Sequence, residues 1–219
     1  MEYLYLKRYI DYAGLKLIAR NGTINHLIIA RIGGNVIGMN FFGTYFLKKK
    51  GIFFGVGWWT VIAEQFRGKG VAPQLHNYRL KIMQRDSMLF GARRLDAIFI
   101  EVNDPSRVTS QLIAEDTESA INPFERMDFM MRRGFRPLKF RYMQPALAGG
   151  QPVDYIALMI QCFREDWMRQ QSIPLEDFKA MMYIFVKLGF DRNPNSDPTY
   201  RLILKSIEDN SKDGYVKFG

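Results

Sequence analysis

The sequence predicts an α/β fold of the α+β type: a mixed, mostly antiparallel sheet flanked by helices, followed by a helical extension. Three observations predict it. Two apolar runs, residues 26–32 and 35–46, meet at Gly33-Gly34-Asn35, a composition suited to a tight hairpin turn. A third run, 52–63, passes through a glycine-containing turn into a segment of helical periodicity and then into a fourth run, 96–102. Beyond residue 163 the pattern is helical only.

Taken in order, residues 26–32 and 35–46 are the first hairpin, and Lys48 to Gly51 makes the turn into the strand at 52–63. The next helix runs from Pro73 to about Phe90, with Leu75, Tyr78, Ile82 and Leu89 on one face and Gly91 as its stop. Antiparallel hairpins followed by a strand–helix–strand crossover give a mixed sheet with helices on its faces. Asn103 to Asn122 reads as a polar loop opening with Asp104-Pro105, and loops of that length often carry function. Asn122 and Pro123 then start a helix, as N-cap and first-turn proline, with Phe124, Met127 and Met131 on one buried face. A strand at 153–163 ends the first domain, residues 1–163. The extension, 164–219, reads as two helices. One has Pro174 in its first turn and Leu175, Phe178, Met182 and Phe185 along a face; the other starts at Asp197-Pro198 and carries Tyr200, Ile203 and Ile207. Both are expected to pack on the main domain, with a partner or homodimer surface as the alternative.

Composition narrows the function classes. With 219 residues, 47% hydrophobic and 24% charged, the chain is long enough for one sizeable domain or a domain with an appendage, and its composition is that of a folded protein, not a disordered polymer. No apolar run reaches the roughly 18 residues of a membrane span, and the N-terminus lacks the pattern of a signal peptide. The single cysteine, Cys162, rules out an internal disulfide and suits a reducing cytoplasm. The net charge of +9 is scattered and falls at turns such as Lys48-Lys49-Lys50 and Arg93-Arg94. A solvated basic surface explains it, and nucleic acid is not the expected partner because no reading motif accompanies the charge.

The most informative stretch is Gln65 to Pro73. Gly68 and Gly70 let the backbone approach an anion closely, and N–H groups at the opening of the following helix can point at it. Arg67 and Lys69 add positive charge. The spacing fits Q/R-x-x-G-x-G/A in two registers, Gln65-Gly68-Gly70 and Arg67-Gly70-Ala72, and so resembles motif A of the GNAT superfamily, the acyl-CoA-dependent N-acetyltransferases. Downstream, Phe129-Met130-Met131-Arg132-Arg133-Gly134-Phe135 resembles the helix-to-strand motif of that family, and the agreement spans residues 26 to 163. The resemblance implies a GNAT fold with a central parallel strand pair. It also implies acetyl-CoA as co-substrate, with the pyrophosphate on Phe66, Arg67, Gly68, Lys69, Gly70, Val71 and Ala72. The pantetheine arm would lie along the backbone of Val61 and Ile62. The activity implied is direct transfer of an acetyl group to a primary amine of a small molecule or peptide. One departure is that residues 1–25 are short for the strand and two helices that usually precede the hairpin.

Such a reaction needs a base for the amine, donors for the developing oxyanion and a proton for the thiolate. Glu101, within the apolar run Ala97 to Val102, is the best base, because desolvation there raises a carboxylate toward a useful range; a salt bridge to an arginine is the bland alternative. The tyrosine that many family members carry four residues before the Gly of Gly-Phe is Met130 here. Tyr142 is the replacement candidate for the acid, against simple core packing. Asn103 is a candidate donor to the thioester or pantetheine, against an Asx turn. Trp58 and Trp59 are expected on opposite faces of their strand, so that one lines the cleft. No metal is expected, since His26 and His76 have no ligand company.

Overall fold

The computed structural model describes residues 7–9, 23–119, 121–146 and 151–219. The chain divides into two compact units, Met1–Ile98 and Phe99–Gly219. The expectation for residues 1–25 lies outside the described residues, apart from β1 (Lys7–Tyr9) and the first residues of β2 (Thr23–Ile32).

In the first unit, β1, β2, β3 (Asn35–Leu47) and β4 (Ile52–Ile62) form an antiparallel meander. Alternation decides its inner face: Ile24, His26, Ile28 and Ala30 of β2 are buried, and α1 (Val71–Leu89) packs on β2, β3 and β4. Two bulges interrupt the ladders. Ile37 is the extra residue of β3 against β2, and Trp58 is the extra residue of β4 against β3. On the α1 side, Gly55 leaves room for Met83 and Gly38 leaves room for Ile62 and Leu75. Trp58 is half-buried and hydrogen-bonds the hydroxyl of buried Tyr45, whereas Trp59 is 62% exposed and tilts against Phe41 at 5.9 Å. From β4 the chain passes through α1 to β5 (Ala97–Asn103), the strand–helix–strand order that the sequence predicts.

The predicted face of α1 is corrected by the structure. Leu75 and Ile82 are buried, but Tyr78 and Leu89 are exposed, Leu89 by 65%. Val71, His76, Arg79, Met83 and Asp86 complete the buried face instead, because three polar residues there find partners inside. The helix also begins at Val71 rather than Pro73.

In the second unit β7 (Ile156–Cys162) lies between β5 and β6 (Arg136–Pro137), with β6 and β7 antiparallel. Between β5 and β6 lie α2 (Ser110–Ser119) and α3 (Pro123–Arg132). The connection expected as a loop therefore contains a helix. Asn122 caps α3 by accepting from the Phe124 amide at 2.9 Å, as its sequence predicts. The apolar face expected of α3 is not buried: Phe124 is 55% exposed, Met131 is exposed and Met127 is half-buried.

Residues 164–219, expected as a helical extension, belong to the second unit and hold more than the two expected helices. They run α4 (Glu165–Gln170), β8 (Ser172–Pro174), α5 (Leu175–Ile184), α6 (Pro198–Asn210) and β9 (Tyr215–Lys217), with β8 and β9 antiparallel. A π turn, Phe185–Gly189, prolongs α5. The short α4 shows no helical period over its six residues and is anchored by buried Trp167. Phe178, Met182, Phe185, Tyr200, Ile203 and Ile207 are buried as expected, Leu175 is only half-buried, and Asp197 caps α6 at the Tyr200 amide, 2.8 Å away.

Candidate active site

The candidate residues fall into two groups, one in each unit. In the first, the amide of Ala63 donates to the carbonyl of bulged Ile37 at 2.9 Å, which fixes where β4 ends. A turn of 3₁₀ helix, Glu64–Phe66, follows, and then Gly68 and Gly70 with φ of 70° and 78°. Those angles suit glycine and strain any residue with a Cβ. A Cβ placed on either glycine would meet nothing within 4 Å, so open space lies before the backbone. Gly70 is the N-cap of α1, and the first helical N–H groups, those of Val71 and Ala72, lack in-helix acceptors by geometry, whereas Pro73 has no N–H and the Gln74 amide donates to the Gly70 carbonyl at 3.4 Å. A 19-residue helix places its positive end there. This is a fit for a phosphate group.

The side chains modify that picture. Arg67 turns back, its Nε donating to the Ile62 carbonyl at 3.4 Å. Lys69 is exposed, with its ammonium 5.6 Å from the Phe66 ring centroid. Val61 and Ile62 pair with Met39 and Gly38 of β3 on one edge of β4, and Val61 is exposed.

In the second unit, β5 brings Glu101 to a half-buried position among Ile100 and Val102, with Asn103 two residues on, also half-buried. Tyr142 donates its hydroxyl proton to Glu101 Oε1 at 2.5 Å, and Gln144 Nε2 donates to Oε2 at 2.8 Å. Desolvation pushes the Glu101 carboxyl up to about 7, against the two hydrogen bonds that favour its charged form. Burial, with the Glu101 charge beside it, holds the Tyr142 phenol well above its ordinary range. Tyr142 itself is fully buried. Glu101 thus has a phenol and an amide for company rather than the arginine of the bland alternative. Asp104, not Asn103, makes the Asx turn, accepting from the Ser106 amide at 3.0 Å.

Glu101 and Tyr142, named separately as base and acid candidates, are thus in direct contact. Gln144 was not anticipated, although the alternation of an extended chain puts it on the same side as Tyr142. A second unanticipated cluster lies in the first unit: His26 Nε2 is 2.5 Å from Asp86 Oδ2, which also accepts from Thr44 Oγ1 at 3.1 Å. Among the described residues no group of His, Cys, Asp or Glu is placed to hold a metal, and no helix is long and apolar enough to cross a membrane.

No family model and no curated protein matches this chain. Solved structures similar to it include acetyltransferases of the GNAT family. An acetyltransferase from Streptococcus pneumoniae is 15% identical, over 69% of this chain and 74% of that one, at a TM-score of 0.41. Ard1 from Thermoplasma volcanium is 13% identical over 70% and 78%, at 0.40. Arabidopsis thaliana Naa50, in complex with a bisubstrate analogue, is 15% identical over 71% and 82%, also at 0.40. The glycine loop and the Glu101 cluster, rather than this likeness, carry the functional reading.

Proposed function

We propose that the protein is an acyl-CoA-dependent N-acyltransferase of the GNAT type, acting in a reducing, cytoplasmic setting. It passes an acetyl group from acetyl-CoA directly to a primary amine of a small molecule or peptide. The observation that carries the reading is the pair of positive-φ glycines, Gly68 and Gly70, opening α1 before open space. The amides of Phe66, Arg67 and Lys69 already donate to the carbonyls of Ala63, Glu64 and Phe66, so the pyrophosphate falls to the backbone N–H groups of Gly68, Gly70, Val71 and Ala72 and to the helix terminus, and the end of β4 at Val61 and Ile62 guides the rest of the carrier.

Acetyl-CoA, when bound, supplies the thioester carbon that the amine attacks. The chain's part is proton handling. A protonated amine is no nucleophile, and Glu101, with its midpoint near 7, takes up that proton at working pH. Tyr142 and Gln144 hold the carboxylate oxygens in place. Because Tyr142 is buried and its proton is already donated to Glu101, we assign it to positioning; as the C–N bond forms and the C–S bond breaks, the departing thiolate takes the second proton, the one that the attacking nitrogen sheds. Asn103 is the remaining candidate donor to the carrier.

Titration calorimetry with acetyl-CoA tests the reading: saturable binding is expected, and Gly70→Glu abolishes it by combining backbone strain with a like charge against phosphate. Absence of binding by the wild type would sink it. Met130, where many family members have tyrosine, favours a second reading, a CoA-binding module without transfer. CoA release with a panel of amines separates the two, since a module releases none above background.

A further inference from the structure

Tyr142 and Gln144 lie on an irregular strip, residues 138–146, that follows β6. Its members point alternately. Tyr142 and Gln144 reach Glu101, whereas Arg141 and Met143 line a cleft with Leu202, Lys205 and Ser206 of α6. Along almost its whole length the strip is fastened by the extension. Leu138 bridges Phe218, and the Lys139 amide donates to the Lys217 carbonyl at 2.9 Å. The Phe140 ring meets Phe178 of α5 edge-on at 5.6 Å. The Arg141 amide donates to Ser206 Oγ at 3.0 Å. Arg192 Nη2 donates to the Ala146 carbonyl at 2.5 Å while its Nη1 holds Asp197, the cap of α6, at 3.0 Å. From the other direction Arg107 gathers the carbonyls of Tyr142, Asp154 and Ile156, at 3.4, 2.7 and 2.5 Å.

We propose that the extension, residues 164–219, is a positioning element for the Glu101 carboxylate, holding the strip so that Tyr142 and Gln144 stay on its two oxygens. Its significance for catalysis rests on the acyltransfer reading; its effect on Glu101 does not. A packing appendage would need apolar contacts alone. Here polar bonds from three separate places, Lys217, Ser206 and Arg192, fall on the backbone of the strip that carries the two donors. Each removes a freedom that would let the donors drift. Tyr142 is the titratable group in contact with Glu101, and Gln144 is neutral, so any slackening of the strip is read directly in how Glu101 titrates.

The test uses the whole protein carrying ¹³C-labelled glutamate carboxyls, with Glu101 assigned by the loss of its signal in Glu101→Gln. Tyr142→Phe sets the scale by removing one bond that favours the carboxylate, and raises the midpoint by about one unit. Arg192→Met and the milder Ser206→Ala, which act from the extension, are expected to raise it by a fraction of that. Arg192→Lys, which keeps a donor, restores it. Lys179→Ala cuts only the bridge to Glu176 and Glu208 within the extension, and leaves the midpoint unchanged. A midpoint that stays put or falls in both Arg192→Met and Ser206→Ala overturns the proposal, and so does an equal shift in Lys179→Ala. CoA release is measured on the same samples. Shifted midpoints without any transfer leave the positioning role standing and refute only the enzyme.

Discussion

Asp86 and Glu101 are both carboxylates set among apolar neighbours, and each takes two side-chain hydrogen bonds, yet their company differs. Asp86 faces an imidazole and a hydroxyl, from His26 on β2 and Thr44 on β3, and ties a helix to two strands with no exposure of its own. Glu101 faces a phenol and an amide from a single strip and keeps part of its surface. Burial alone therefore does not assign a carboxylate to chemistry. A buried acid bonded to a group that can itself carry positive charge is a fastening; one given only neutral donors keeps its proton to near neutral pH and can exchange it.

The comparison can be broken from either end. The largest effect is expected from Asp86→Ala, which strands His26 and Thr44 in the core and costs roughly 3–5 kcal/mol, measured by urea unfolding. Glu101→Gln is expected to do the reverse: its unfolding midpoint at pH 7 does not fall, while CoA release drops by about a hundredfold with acetyl-CoA affinity unchanged. A comparable loss of stability in both variants would erase the distinction.

Titration sharpens it further. Glu101 has a folded midpoint of about 7, above an unfolded value of about 4.3. Between those values the folded chain holds more protons than the unfolded one, so this contribution to stability is complete at low pH and is lost as pH rises toward 7. Relative to the wild type, Glu101→Gln should therefore gain about 1–2 kcal/mol between pH 5 and pH 8, allowing for partial exposure. Activity runs the opposite way, rising through pH 7 as the base ionises. The smallest effect is expected from Thr44→Val, about 1 kcal/mol of stability, with the pH profile of transfer unmoved.

What could be read from the sequence divides along the same line. The hairpin at Gly33-Gly34, the glycine loop and the caps at Asn122 and Asp197 were legible because their physics is local, a matter of φ and of hydrogen bonds two or three residues away. The face of α1 was misread because an apolar period cannot announce that His76, Arg79 and Asp86 find partners inside. The stripe on α3 was misread for the opposite reason: apolar spacing was present, but Phe124 stays exposed. Glu101 and Tyr142 were each nameable from type and setting. Their contact spans 41 positions, and that of Gln144 spans 43, so only the tertiary fold could supply it.

The bulge at Trp58 has a consequence for how the glycine loop is aimed. A strand keeps only a tally of odd and even, and a regular one can never turn an odd and an even residue to the same side. Yet Gly55 and Ile62 both face α1, the first beneath Met83 and the second beside Leu75. Trp58 is the miscount that permits it. Remove that one residue and Ile62 would swing away from the helix, carrying with it Ala63 and the entry to the loop. The direction in which Gly68 and Gly70 present their backbone is thus set by the parity of a strand that ends before they begin.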